Sequence, residues 1–242
     1  MFSLPPIPKG DAVLVTDELA SPADFILHAN LAAHVKDSSR NSRCILISVT
    51  ESLSRWITIG AKSNINVPSL LVNGTLVLLD IEAELQAAYD SAEPILRPVF
   101  DSLQVILADE ASHSAHTLVI LDDISALEWI GFSSQDVGYF ARALCAACRK
   151  VNASLIIRHH VVTPGNPDDL LRLLLQLCTY RIDVFPLSTG RSGSVSGQIA
   201  ILPGPGRVGS AMKTITRSSA VLYRLTDSGS TFFERGTGAA VL

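Results

Sequence analysis

Short strand-like runs, most of them apolar without strict alternation, recur along the chain at 12–16, 44–49, 75–80, 117–121, 154–158 and 180–187. Such runs predict strands covered on both faces, as in a parallel sheet flanked by helices. The stretches between them repeat their apolar residues at helical spacing. Ser21, Pro22 and Asp24 offer a capping hydroxyl, a proline for the first helical position and an acid for the first turn. A helix is expected from there to about Lys36, with Phe25, Ala29, Ala32 and Ala33 facing inward. Short helices are expected over 56–66 and 82–90. Another opens at Pro94, with Ile95, Val99, Leu103 and Leu107 four residues apart and Pro98 in its first turn. Residues 125–130 predict a turn or a short helix. Ser133 and Asp136 form a capping box for a helix to about Lys150, with Val137, Phe140, Leu144 and Cys148 inward. Gly138 costs that helix about 1 kcal/mol relative to alanine. Asn166-Pro167-Asp168-Asp169 opens a leucine-rich helix ending near Cys178.

The last third changes character. Residues 188–197 are a Gly/Ser hinge, followed by short β runs at 198–202, 220–226 and 230–234, with a turn signal at Asp227-Ser228-Gly229. Alternating β and α elements closing on antiparallel strands predict an α/β fold. Its sheet is mainly parallel, with helices on both faces and an antiparallel C-terminal edge. One domain over 1–242 is expected, with an N-terminal arm at 1–10 and a C-terminal β extension at 188–242.

Composition narrows the classes. Apolar residues make up 48% of 242 residues, enough for a sizeable core. The net charge of −4 supplies no global field to draw a polyanion, so any RNA contact must be local. The four cysteines sit in apolar or helical surroundings, as reduced core thiols do. The first residues lack the parts of a secretory signal and no apolar run is long enough to span a bilayer, so an intracellular protein without membrane contact is expected.

The candidate chemistry centres on Asp122 and Asp123, which end the run Leu118-Val119-Ile120-Leu121. Open α/β sheets bind ligands at that end, and this pattern holds Mg²⁺ in ATP-hydrolysing folds. Its partner would be a phosphate loop between the first strand and first helix, built from glycines, a lysine and a Ser/Thr. Residues 16–24 hold no Gly and no Lys, and carry Asp17, Glu18 and Asp24 where a triphosphate would dock. The acidic pair is therefore a degenerate Walker B-like site, and no cofactor is expected. Gly204-Pro205-Gly206-Arg207-Val208-Gly209 spells GxGxxG, but a strand follows it where a dinucleotide fold needs a helix, so it is expected to be a turn. Cys145 and Cys148 fall mid-helix, away from the helix N-terminus that stabilises thiolates, and no metal site is expected. Arg158-His159-His160 ends a strand at the same edge as the acids. It is either a polar strand end or a face toward RNA or a ring channel. Arg191 and Arg207, with Lys213 and Arg217, add positive charge in the Gly-rich region. Phe232, Phe233, Val241 and Leu242 either pack on their own sheet or fill a partner's groove.

Two stretches carry a resemblance. Leu118-Val119-Ile120-Leu121-Asp122-Asp123-Ile124-Ser125-Ala126-Leu127 and the terminus from Thr231-Phe232-Phe233 to Ala240-Val241-Leu242 resemble the Elongator complex protein 6 family. The order of elements agrees over nearly the whole chain. The resemblance implies a RecA-like fold without the ATP-binding loop. It also implies a non-catalytic place in a hetero-hexameric ring with Elongator subunits four and five. That ring joins the catalytic Elongator subcomplex and handles tRNA during wobble-uridine modification, in the cytoplasm and also the nucleus. The alternative is a nucleotide-binding, ATPase-like α/β enzyme using Asp122, Asp123 and His159. The 16–24 segment favours the first.

Overall fold

The computed structural model describes residues 3–37, 41–87, 96–109, 116–188, 194–206, 212–226 and 229–233. Among them nine strands form one sheet: β1 Ala12–Glu18, β2 Ser42–Ser48, β3 Leu76–Asp80, β4 His116–Leu121, β5 Ser154–Val161, β6 Tyr180–Phe185, β7 Gly197–Pro203, β8 Val221–Thr226 and β9 Gly229–Phe233. The order is β3-β2-β4-β5-β1-β6-β7-β8-β9. From β3 to β6 every pairing is parallel, and from β6 to β9 every pairing is antiparallel. This is the expected α/β, RecA-like sheet with its antiparallel C-terminal edge. Two strands run longer than expected, β1 through Asp17 and Glu18 and β5 through His159, His160 and Val161, while β6 stops at Phe185.

Eight α-helices are described: α1 Asp24–Lys36, α2 Leu53–Lys62, α3 Val67–Val72, α4 Ile81–Ala87, α5 Arg97–Ala108, α6 Ala126–Ile130, α7 Ser134–Lys150 and α8 Asp169–Leu177. Side chains alternate along each strand, so the sheet feeds two cores. Leu14, Ile45, Val119, Leu155 and Ile157 point to one face, where α5, α7 and α8 cover them with Leu103, Leu144 and Leu174. Val13, Val15, Cys44, Ile120 and Ile156 point to the other, against Leu27 and Leu31 of α1 and Trp56 of α2. Ile7 of the N-terminal arm is buried on this second face.

Several helices follow their spacing. Val99, Leu103 and Leu107 of α5 are buried, as are Val137, Phe140, Leu144 and Cys148 of α7. The Ser133 hydroxyl accepts the Asp136 N–H at 3.1 Å and donates to the Asp136 carboxylate at 2.6 Å. Pro94 and Ile95 lie outside the described residues. The expected helix over 56–66 is α2, which starts earlier at Leu53 and stops at Lys62, just before Asn64 takes a positive φ of 56°; α3, over Val67–Val72, was not expected. The inner face of α1 is Ile26, Leu27, His28, Asn30 and Leu31, while Ala33 is exposed. Apolar residues surround that helix, so spacing alone does not select a face. At α8 the cap is Asp168, whose carboxylate accepts the Leu171 N–H at 2.7 Å, and Pro167 lies outside the helix.

The GxGxxG segment begins as a turn. The Gly204 N–H donates to the Thr179 carbonyl at 2.8 Å, and a Cβ on Gly204 would stand 2.2 Å from the Cys178 carbonyl oxygen. That glycine admits a backbone of the same chain, not a pyrophosphate. Arg207, Val208 and Gly209 lie outside the described residues. No described helix is long and apolar enough to cross a membrane.

Substituting Gly204→Ala must displace rigid backbone. It is expected to lower stability by about 1–3 kcal/mol, read as a shift in the urea midpoint. Gly165→Ala is the control for backbone strain, since nothing lies within 4 Å of a Cβ there.

Candidate functional site at the carboxyl edge of the sheet

Strand β1 lies between β5 and β6, and its register sets Val15 beside Arg158 and Asp17 beside His160. Asp17 and Arg158 therefore project from the same face of adjacent strands. Asp17 is fully buried and Arg158 is 4% exposed. One Asp17 oxygen lies 3.2 Å from Arg158 Nε and the other 2.7 Å from His160 Nδ1. Arg158 Nη1 lies 2.5 Å from the Asp24 carboxylate, and Nη2 donates to His160 Nε2 at 2.8 Å. That donation requires Nε2 to be free of a proton. The ring is then the Nδ1–H tautomer, donating to Asp17 and accepting from Arg158. The hydrogen bond to Asp17 also raises the His160 pKa, burial opposing it.

The same Asp17 carboxylate closes the start of α1. Its Oδ2 accepts the Ala23 N–H at 2.7 Å, immediately before the first helical residue. Helix N-termini carry free N–H donors and a positive dipole end, and they take anions. In a phosphate-loop protein the anion is a phosphate. Here it is the chain's own carboxylate, with Arg158 as its counter-ion. Ser21, expected as the cap, instead turns the chain back by donating its N–H to the Glu18 carbonyl at 2.8 Å.

Asp122 and Asp123 follow β4 and are both buried. Asp122 Oδ1 accepts the Val49 N–H at 2.7 Å, and Oδ2 accepts the Glu51 N–H at 2.9 Å and the Ser48 hydroxyl at 3.2 Å. It clamps the turn from β2 into α2. Burial pushes its pKa up, against backbone donors that favour the ionised form. Asp123 caps its own turn, accepting the Ser125 N–H at 3.0 Å and hydroxyl at 2.5 Å. The Ser125 hydroxyl in turn accepts the His160 N–H at 3.0 Å, tying the start of α6 to the end of β5.

His159 points to the opposite face. It is fully buried, with Asp168 Oδ1 3.5 Å from Nε2, and burial lowers its pKa. The expected cluster of Arg158, His159 and His160 is thus divided between two faces. Arg158 and His160 belong to the Asp17 network, and the guanidinium faces carboxylates of its own chain. Asp183 of β6 extends the edge, accepting the Thr16 hydroxyl at 2.8 Å and pairing with Arg217 Nε at 2.9 Å. Asp183 was not singled out by sequence reasoning, and Asp17 was read there only as one of three repelling acids. The signal for Asp17 is the two-residue period shared by 15–17 and 158–160 once those strands are paired in parallel. Phe232 packs partly against the second core, and Phe233 is half-buried beside Leu222. Arg191, Val241 and Leu242 lie outside the described residues, as does Arg207.

Beside this network His28 of α1 packs on Trp56 with ring centroids 4.1 Å apart, and burial lowers its pKa to about 4. A histidine depressed below its ordinary 6.5 contributes stability that is present above pH 6.5 and lost as pH falls through about 4. That loss, about 3 kcal/mol at most, is expected to flatten in His28→Phe when urea midpoints are followed from neutral to acidic pH. Removing the central cation has a larger effect. Arg158→Ala removes the buried counter-ion that Asp17 and Asp24 share and is expected to cost about 3–5 kcal/mol. In the same denaturation assay Arg172→Ala, exposed on α8, is expected to change stability by less than about 1 kcal/mol.

Comparison with known proteins adds a family. The model of the family described as Elongation complex protein 6 matches residues 3–227. Elongator complex protein 6 of Xenopus laevis is 25% identical over 239 residues, covering 90% of this chain and 88% of the relative. The Xenopus tropicalis protein of that name is 25% identical, covering 98% and 94%. The Danio rerio protein is 23% identical, covering 96% and 93%. Since the family pattern runs from the N-terminal arm through β8, this chain belongs to the Elongation complex protein 6 family.

Proposed function

We propose that this chain is a non-catalytic subunit of Elongator. In this reading it stands beside subunits four and five in a hetero-hexameric RecA-like ring. The ring attaches to the catalytic subcomplex and holds tRNA during wobble-uridine modification, in the cytoplasm and the nucleus. Family membership supports the place in Elongator. One observation supports a non-catalytic role: the Asp17 carboxylate sits under the Ala23 N–H and is held there by Arg158. A triphosphate approaching α1 would meet Asp17 and Asp24 in the place where a phosphate loop offers amides and a lysine. The acids after β4 support the same role, since Asp122 and Asp123 are engaged by backbone N–H groups and hydroxyls.

The chain's contribution to RNA binding is assigned to Arg191 and Arg207. They lie in Gly-rich segments, while Arg158 is buried. Their action is local and requires basic neighbours in the ring, because the whole chain carries a net charge of −4.

Co-expression with subunits four and five, followed by size exclusion and a tRNA-binding titration of the eluted species, tests the proposal. The expected result is one species containing all three chains, which binds tRNA with an affinity that falls as salt rises. Weakening by Arg191→Ala and Arg207→Ala is expected, with assembly intact. A chain that elutes alone in the presence of both partners would contradict the proposal.

A further inference from the structure

The carboxyl edge that holds the buried network also carries exposed apolar side chains. The last paired positions of neighbouring β1 and β5 are Glu18 and Val161. The residues that follow them are Leu19 and Val162, exposed to 91% and 71%. The third neighbouring strand, β4, leads into α6, whose last residues Trp129 and Ile130 are 71% and 52% exposed. The Ser125–His160 hydrogen bond holds the start of α6 at the end of β5. Three adjacent strands, each about 4.8 Å from the next, thus hand apolar side chains to water at one edge. Single exposed apolar residues are ordinary. Val72 on α3 and Val105 on α5, 91% and 74% exposed, are of that kind. A tryptophan among exposed apolar side chains that all follow the ends of three adjacent strands is not, since tryptophan anchors protein interfaces more than most side chains.

The charges around the row select its occupant. Glu18 and Glu128 are partly exposed beside Leu19 and Trp129, and Asp168 and Asp169 follow the loop after Val162 with side chains 45% and 84% exposed. The nearby guanidinium groups are paired with acids of the same chain: Arg158 with Asp17 and Asp24, Arg172 with Asp169, Arg217 with Asp183. A base could stack on Trp129, but its phosphates would meet carboxylates, and single-strand sites need a positive groove. Resting on the reading of the chain as an Elongator subunit, we infer that the row of Leu19, Trp129, Ile130 and Val162 docks a neighbouring ring subunit. The partner's face is apolar and rimmed by arginine or lysine. Charge complementarity then fixes orientation, and the apolar row supplies the adhesion. The edge where a phosphate loop would hold its ligand then serves as a protein-binding edge.

The test uses the full chain co-expressed with subunits four and five. Trp129→Ser and Val162→Asp replace exposed side chains, and unchanged melting temperatures of the isolated variants confirm their folding. Each variant is expected to weaken assembly at least about tenfold, while Val105→Asp leaves it unchanged. Charge reversal by Asp169→Lys with Glu128→Lys is expected to weaken it as well, and added salt to weaken the wild type. Assembly undiminished in Trp129→Ser and Val162→Asp would overturn the docking edge. So would loss of tRNA binding by these variants with assembly intact, which would make the row an RNA surface. A wild-type chain that never assembles overturns the Elongator reading beneath it, and the two failures are told apart by the wild-type control.

Discussion

A buried carboxylate and a buried guanidinium on neighbouring parallel strands organise the carboxyl edge of this molecule's sheet. Isolated, either charge would be prohibitively expensive inside the sheet. Together, Asp17 and Arg158 share a 3.2 Å contact, and each has further partners. Asp17 takes the Ala23 N–H and His160. Arg158 takes Asp24, His160 and the Asp122 carbonyl. The pair joins β1, β5, the start of α1 and the turn after β4. In a phosphate-loop enzyme this position recruits a ligand. Here the ligand is internal, so the anion-binding property of the helix N-terminus is used for folding.

The same substitution of internal for external partners extends along the edge. Asp122, at the place of a magnesium ligand, gathers the N–H groups of Val49, Thr50 and Glu51 and holds the β2–α2 turn. Asp123 caps the turn into α6, and Asp183 holds Arg217 and Thr16. An edge closed in this way has no vacant polar cradle in the described β1–α1 junction. It retains an outer rim of apolar and acidic side chains, suited to another protein surface. The RecA-like sheet is kept, and the carboxylates at its edge hold turns and strands of the chain itself.

Much of the fold was legible because it rests on short-range pattern. Unbroken runs such as Leu118-Val119-Ile120-Leu121 need helices on both sides, and the spacing of Val137, Phe140, Leu144 and Cys148 selects one face of α7. The rejection of a phosphate loop at 16–24 was also local. What was not legible is what replaces the phosphate. Asp17 and Arg158 are 141 residues apart in the chain, and only the strand register brings them together. Three acids in 16–24 look repulsive until a guanidinium from β5 is placed among them. The inner face of α1 was missed for a related reason. With Phe25, Ile26, Leu27, Leu31, Ala32 and Val35 distributed around the helix, tertiary packing chooses the face. Arg158 shows the limit most clearly: in sequence it is a basic strand end suited to RNA, and in the fold it is a counter-ion.

The central claim is that the start of α1 is already occupied by an anion of the chain itself. The amide resonance of Ala23, followed by NMR while ATP and Mg²⁺ are added to the purified chain, tests this directly. An unmoved Ala23 resonance, with slow hydrogen exchange before and after nucleotide, is the predicted result. A saturable shift of that amide, reporting phosphate in place of the Asp17 carboxylate, would contradict the account.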